Sequence, residues 1–192
     1  MVFQSPDDQL VATIVREDVA FGPENLGLAE EELAGIVEKS LKRVGMWEER
    51  LRPPHQLSAG QKQRVALAGV LAMSPRCLVL DEATAMLDPV GANEVLSIVD
   101  TLHNEGMTVI AVTHKMEEAA RADRIVVMEC GHLVADGKPK DIFSHPDLSR
   151  WKLKPPAAAI LAEKLRTRLQ DFPVDIIDTN ALVSAVAERV RL

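Results

Sequence analysis

Residues Cys77-Leu78-Val79-Leu80 form a short apolar run that breaks off in two carboxylates, Asp81-Glu82. Ser74-Pro75 punctuates the chain just before it, so the run reads as a buried parallel strand rather than as part of a helix. In open α/β sheets the C-terminal ends of such strands face the ligand crevice. A pair of acids at that point has a defined chemical use. One can hold Mg²⁺ through its waters, and the next can polarise an attacking water.

A second device stands immediately upstream. Leu57-Ser58-Ala59-Gly60-Gln61 opens an amphipathic run from Lys62 to Met73. Ser58 can cap that helix, and Gln61, three residues on, completes a capping box. Ala59 and Gly60 carry little or no side chain, which lets a ligand approach the backbone closely. The free N–H groups and positive dipole end of a helix N-terminus attract anions. Taken singly, a capping box is usually only a helix start, and an acidic pair after a strand is often a solvated turn.

Their order and spacing carry more. Gln56 to Pro89 resembles the signature motif followed by the Walker B motif of ATP-binding cassette (ABC) ATPases, and Asp88 in Ala-Met-Leu-Asp-Pro matches that family's D-loop. His114, in Val-Thr-His-Lys-Met-Glu-Glu-Ala after the apolar run 108–113, matches the switch histidine, and Gln4 the glutamine-loop residue. The strings Val-Phe-Gln-Ser-Pro-Asp-Asp-Gln-Leu and Asp-Val-Ala-Phe-Gly-Pro-Glu-Asn-Leu-Gly-Leu are similar to the energy-coupling factor (ECF) branch, whose ATPases drive uptake of vitamins and of cobalt or nickel.

The resemblance implies an α/β fold of the P-loop NTPase type: a parallel sheet with a helical subdomain, incomplete at the N-terminus. It places an ABC ATPase domain at 1–146, with the helical subdomain at about 13–73, and a C-terminal helical extension at 147–192. The implied cofactors are ATP and Mg²⁺. Glu82 would be the catalytic base, assisted by His114 and Gln4, with Asp81 and Gln4 toward Mg²⁺. Ser58, Ala59, Gly60 and Gln61 would cover ATP held by the opposite subunit, with Asp88 in the D-loop. The implied partners are a transmembrane ECF-type subunit, a second ABC ATPase subunit in a homo- or heterodimer, and indirectly a substrate-binding membrane protein that chooses the cargo. The implied location is the cytoplasmic face of the membrane. A soluble DNA-repair ATPase of the same superfamily is disfavoured, because those insert long coiled coils between the glutamine loop and the signature.

The sequence also departs from the family pattern. Ala59 stands where glycine is commoner, and Ala83 where proline is commoner; both are small. No G-x-x-x-x-G-K-[ST] occurs in the 192 residues. Gly131 to Pro139 is superficially similar, but it has one residue too many between its glycines, and Pro139 stands where Ser or Thr would ligate Mg²⁺. The expectation is therefore the C-terminal two-thirds of a cassette, inactive alone, with a non-hydrolysing regulatory subunit as the alternative. The expected strand order is 125–128, a missing strand, 108–113, 77–80, 1–3.

Elsewhere the pattern is ordinary. Helices are expected from Thr13 to Phe21, stopped by Gly22-Pro23, then over Ala29–Val44 with Gly45 as the stop, and from Asp88-Pro89 to about Asn104. The segment 108–113 reads as a buried strand, and 125–128 and 132–135 as a hairpin closed at Glu129-Cys130-Gly131. Ala157–Leu169 and Ala181–Arg191 read as tail helices, the second capped by Asp178 or Thr179. A formal charge of −7 argues against a nucleic-acid surface. Cys77 reads as strand core and Cys130 as a turn residue, which fits a reducing compartment. No apolar run approaches the length of a membrane span.

Overall fold

The computed structural model describes residues 1–169 and 171–190, so the expected helix end at Arg191 lies outside the described residues. The chain divides into two compact units, Met1–Val112 and Thr113–Leu192.

In the first unit, α1 (Val15–Asn25), α2 (Glu30–Arg43) and α3 (Ala59–Ala72) precede β1 (Cys77–Asp81), α4 (Pro89–Asn104) and β2 (Thr108–Val112). Three of these helices stop in the same way. Gly27, Gly45 and Gly106 take positive φ angles of 80°, 67° and 96° just past the ends of α1, α2 and α4. The following amide then reaches back to the helix: Leu28 to the Pro23 carbonyl, Met46 to Leu41 and Met107 to Leu102. This is the Schellman arrangement, which satisfies carbonyls a helix end leaves open. The stop for α1 is thus Gly27 and not Gly22-Pro23, as the sequence suggested. The helix continues because Pro23 is buried and Gly22 lies against Met73, whose Sδ would be 2.8 Å from an added Cβ.

β1 and β2 pair in parallel, Cys77 opposite Thr108 through Asp81 opposite Val112. Val2 adds a parallel bridge to Leu80 on the other side of β1, with Val2 N donating to the Val79 carbonyl and Asp81 N to the Val2 carbonyl. The order 108–112, 77–81, then the chain start is the one expected. Leu78 and Leu80 point into a core built with Val2, Val19, Leu41, Val65, Leu67, Val95 and Leu102. Because side chains alternate across a strand, Cys77 takes the other face and is exposed, not core. β2 corrects the reading again: Val109 packs on the core, but Ile110 and Val112 are 53% and 52% exposed. Among the described residues β2 is paired along one edge only, and Ile110 and Val112 share the face turned away from the core.

The second unit holds α5 (Met116–Ala119), β3 (Ile125–Glu129), β4 (His132–Gly137), α6 (Pro139–Phe143), α7 (Ala157–Arg166) and α8 (Thr179–Val190). β3 and β4 form an antiparallel sheet of their own, separate from β1 and β2. Cys130 and Gly131 close the hairpin with φ of 50° and 81°, the left-handed pair that matches strand twist. Asp178 Oδ1 accepts from the Ala181 amide at 2.8 Å and so is the cap of α8. α7 and α8 bury Ala158, Ala162, Leu182 and Ala185 around Phe172 and Ile176. Among the described residues no helix is long and apolar enough to cross a membrane.

Candidate functional site

The N-terminus of α3 is built as a presented tip. Ser58 is extended, with φ −65° and ψ 161°, and its Oγ accepts from the Gln61 amide at 3.2 Å. Gln61 Oε1 accepts in return from the Ser58 amide at 2.9 Å, completing the expected capping box. Lys62 N closes the first helical bond on the Ser58 carbonyl. The cap takes the Gln61 amide, which leaves Ala59 and Gly60 as the open amides of the first turn. Ser58 and Ala59 are exposed, Gln61 is half-buried and Gly60 is buried. An exposed helix tip of this kind suits a phosphate oxygen.

What buries Gly60 is the start of α4. A Cβ on Gly60 would lie 3.2 Å from the Cα of Gly91, and one on Gly91 would lie 3.4 Å from the Cα of Gly60. Asp88, exposed, caps α4 with Oδ1 accepting from Gly91 N at 3.1 Å, and Pro89 supplies the first helical residue. The signature tip and the Asp88 loop therefore meet through two helix starts in glycine contact. Gly91 was not singled out in the sequence. Its signal was weak, since a glycine three residues after a capping Asp has no local need to be glycine.

The acidic pair lies at the end of β1. Asp81 is the last strand residue and Glu82 begins the turn, both half-buried. Glu82 has a φ of 48°, and it is held there by its amide donating to the Val112 carbonyl and its carbonyl accepting from Ala85 N, both at 2.9 Å. A non-glycine residue in this left-handed region costs roughly 1–2 kcal/mol, and such strain collects at functional sites. Because Val2 is bonded beside Asp81, Gln4 leaves the neighbouring strand end on the same side of the sheet as Asp81-Glu82. Gln4 is exposed. Asp81 and Gln4 supply hard oxygen donors, which suit a Mg²⁺ that keeps most of its waters. Among the described residues no three His, Cys, Asp or Glu side chains cluster as a metal site.

His114 belongs to the second unit, two residues past the end of β2, and is exposed. Around it Thr113 Oγ1 accepts from Lys115 N at 3.0 Å and donates to Glu118 Oε2 at 3.1 Å, tying the start of α5. A shallow cleft of the first unit, lined by Arg43, Pro75, Arg76, Glu105 and Met107, contains none of these residues.

Comparison with known proteins points to one family. The model of the ABC transporter family matches residues 1–85. The energy-coupling factor transporter ATP-binding protein EcfA1 of Caldanaerobacter subterraneus is 53% identical over 188 residues, covering 97% of this chain and 68% of that protein. The protein of the same name from Symbiobacterium thermophilum is 52% identical over 190 residues, covering 98% of this chain and 66% of its own length. The solved structure of CbiO1 from Clostridium perfringens, described as part of the ABC transporter complex CbiONQ, superposes with a TM-score of 0.70 at 38% identity. It covers 88% of this chain, which spans 62% of that one.

Proposed function

We propose, for a chain that belongs to the energy-coupling factor transporter ATP-binding family of ABC ATPases, that it couples ATP hydrolysis to import through a membrane partner. Residues 1–146 are assigned to the ATPase domain, 13–73 to its helical subdomain and 147–192 to a C-terminal extension. The subunit would dock on the cytoplasmic face of a transmembrane ECF-type protein and pair with a second ATPase subunit.

The observation that carries this reading is the strained Glu82 at the end of β1, beside the strand end that leads to Gln4. Bound MgATP supplies the reacting phosphoryl group and the charge neutralisation that phosphoryl transfer needs. This chain's residues do the rest. The Glu82 carboxylate accepts the proton of an attacking water, as a general base worth about 10²–10⁴ in rate. Gln4 orients that water, and Asp81 with Gln4 would hold Mg²⁺. His114 donates a hydrogen bond toward a phosphate oxygen. The Ser58 hydroxyl and the amides of Ala59 and Gly60 receive anionic oxygens held by the opposite subunit, and Asp88 sets the start of α4 behind them.

The test is phosphate release by a transporter reconstituted with this chain joined to a segment that supplies a G-x-x-x-x-G-K-[ST] phosphate loop. Glu82→Gln keeps size and hydrogen bonding but loses the base, so ATP binding should survive while turnover falls by at least about 100-fold. Ser58→Arg, at the exposed tip, should abolish turnover by blocking closure over the partner's nucleotide. Full turnover with Glu82→Gln refutes the base assignment. Loss with Ser58→Arg alone would indicate a subunit that contributes only its signature face.

A further inference from the structure

Gln63 is the one fully buried polar side chain of the first unit's described residues, at 0% exposed. It sits on α3 two residues beyond the presented tip, and its Nε2 donates to the Phe3 carbonyl at 2.8 Å, across 60 positions of sequence. That carbonyl belongs to the peptide joining Phe3 to Gln4. The amide side of Phe3 is held separately, donating to Gln9 Oε1 at 3.1 Å. Val2, one residue earlier, is fixed in the sheet beside Asp81. The strand end that carries Gln4 is thus tied to the sheet through Val2 and to α3 through Gln63. Lys62 Nζ reaches Asp7 Oδ1 at 2.5 Å along the same path, but Asp7 is largely exposed, and pairs of that kind hold weakly.

The other end of Gln63 is informative. Its Oε1 is buried and has no hydrogen-bond partner among the described residues. A side chain present only to fill the core would do better as leucine, without a desolvated, unpaired acceptor. What glutamine adds at this position is the donor to the Phe3–Gln4 peptide.

We propose that Gln63 is a positioning residue that clamps the Gln4 strand end to the signature helix, so that a displacement of the α3 tip is carried to Gln4. The proposal rests on the roles given above to Gln4 and to Ser58–Gln61. A rigid helix and a direct bond make the coupling a physical contact rather than mere proximity.

Amide hydrogen exchange on the full chain tests the clamp without reference to activity. Gln63→Leu should raise exchange in residues 1–10 by about tenfold, the scale of one net hydrogen bond, while 59–73 and the melting temperature stay close to wild type. In Gln63→Glu a neutral carboxyl can still donate to the Phe3 carbonyl and a carboxylate cannot. Its exchange in 1–10, normalised to wild type at each pH, should therefore rise between about pH 4 and 8, whereas that of Gln63→Leu should not change with pH. Wild-type exchange of 1–10 in Gln63→Leu overturns the clamp. So does a parallel acceleration of both segments with a lowered melting temperature, which would mark a purely structural role. Should Gln63→Leu fail to fold, the pH series of Gln63→Glu decides alone, and a flat series overturns the proposal. Unchanged turnover of Gln4→Ala in the reconstituted transporter would instead remove the role given to Gln4 and leave the exchange result standing.

Discussion

Replacing Gly91 by alanine should loosen the junction between the signature tip and the Asp88 loop. The new Cβ would stand 2.8 Å from Asp88 Oδ1 and 3.4 Å from the Cα of Gly60, closer than carbon and oxygen tolerate in the first case. Asp88 must swing away, which breaks its 3.1 Å cap bond to the residue 91 amide. Loss of such a cap costs about 1 kcal/mol. The 3.4 Å approach to Gly60 is at the short edge of ordinary contact and adds at most about 1 kcal/mol. Alanine's better helix propensity returns at most about 1 kcal/mol, and less in a first turn. The net expectation is a destabilisation of about 1 kcal/mol. Urea unfolding should be followed by Trp47 fluorescence in a Trp151→Phe background, so that only the first unit reports. With a slope of about 2 kcal/mol per molar, the midpoint should fall by about 0.5 M at unchanged slope. In an Asp88→Ala background the same substitution should cost about 1 kcal/mol less, because the cap is already gone. An unchanged or raised midpoint for Gly91→Ala would refute the close glycine contact as a constraint.

Two further perturbations follow from single residues. Glu82→Gly, which removes the penalty of a φ of 48°, should be more stable in urea than Glu82→Ala by about 0.5–1 kcal/mol after the cost of glycine's added freedom, while turnover of the reconstituted transporter is lost in both. Equal or lower stability would show that the turn does not store strain. In the β3–β4 hairpin, Asp136 has a lowered pKa because Arg124 donates hydrogen bonds to both its oxygens; burial opposes the shift, and the guanidinium charge adds to it. A lowered carboxylate pKa stabilises the folded form above the ordinary value of 3.8, and the gain is lost as pH falls below it. Asp136→Asn should therefore weaken protection of hairpin amides near neutrality and flatten its dependence in acid, as measured by hydrogen exchange.

What the sequence determined by itself is local. The capping box of Ser58 and Gln61, the Asp178 cap, the glycine stop at Gly45 and the Cys130-Gly131 turn all join groups within a few positions of one another. Such contacts depend on residue type and spacing, so they survive in a string of letters. The acidic pair at the end of β1 was legible for the same reason: an apolar run that stops in carboxylates has few places to put them. The tertiary structure decided everything that needs a neighbour from far along the chain. Met73 and the burial of Pro23 carried α1 past Gly22, and the face on which Leu78 and Leu80 meet the core left Cys77 outside. Ile110 and Val112 lie on the face of β2 turned away from the core and stay half exposed, although their composition is that of a buried strand. The contact of Gly60 with Gly91 and the bond from Gln63 to Phe3 span 31 and 60 positions, and no local pattern marks either partner. Chain entropy opposes such closures, so they form only when the whole core pulls them together, and that collective balance cannot be read one window at a time.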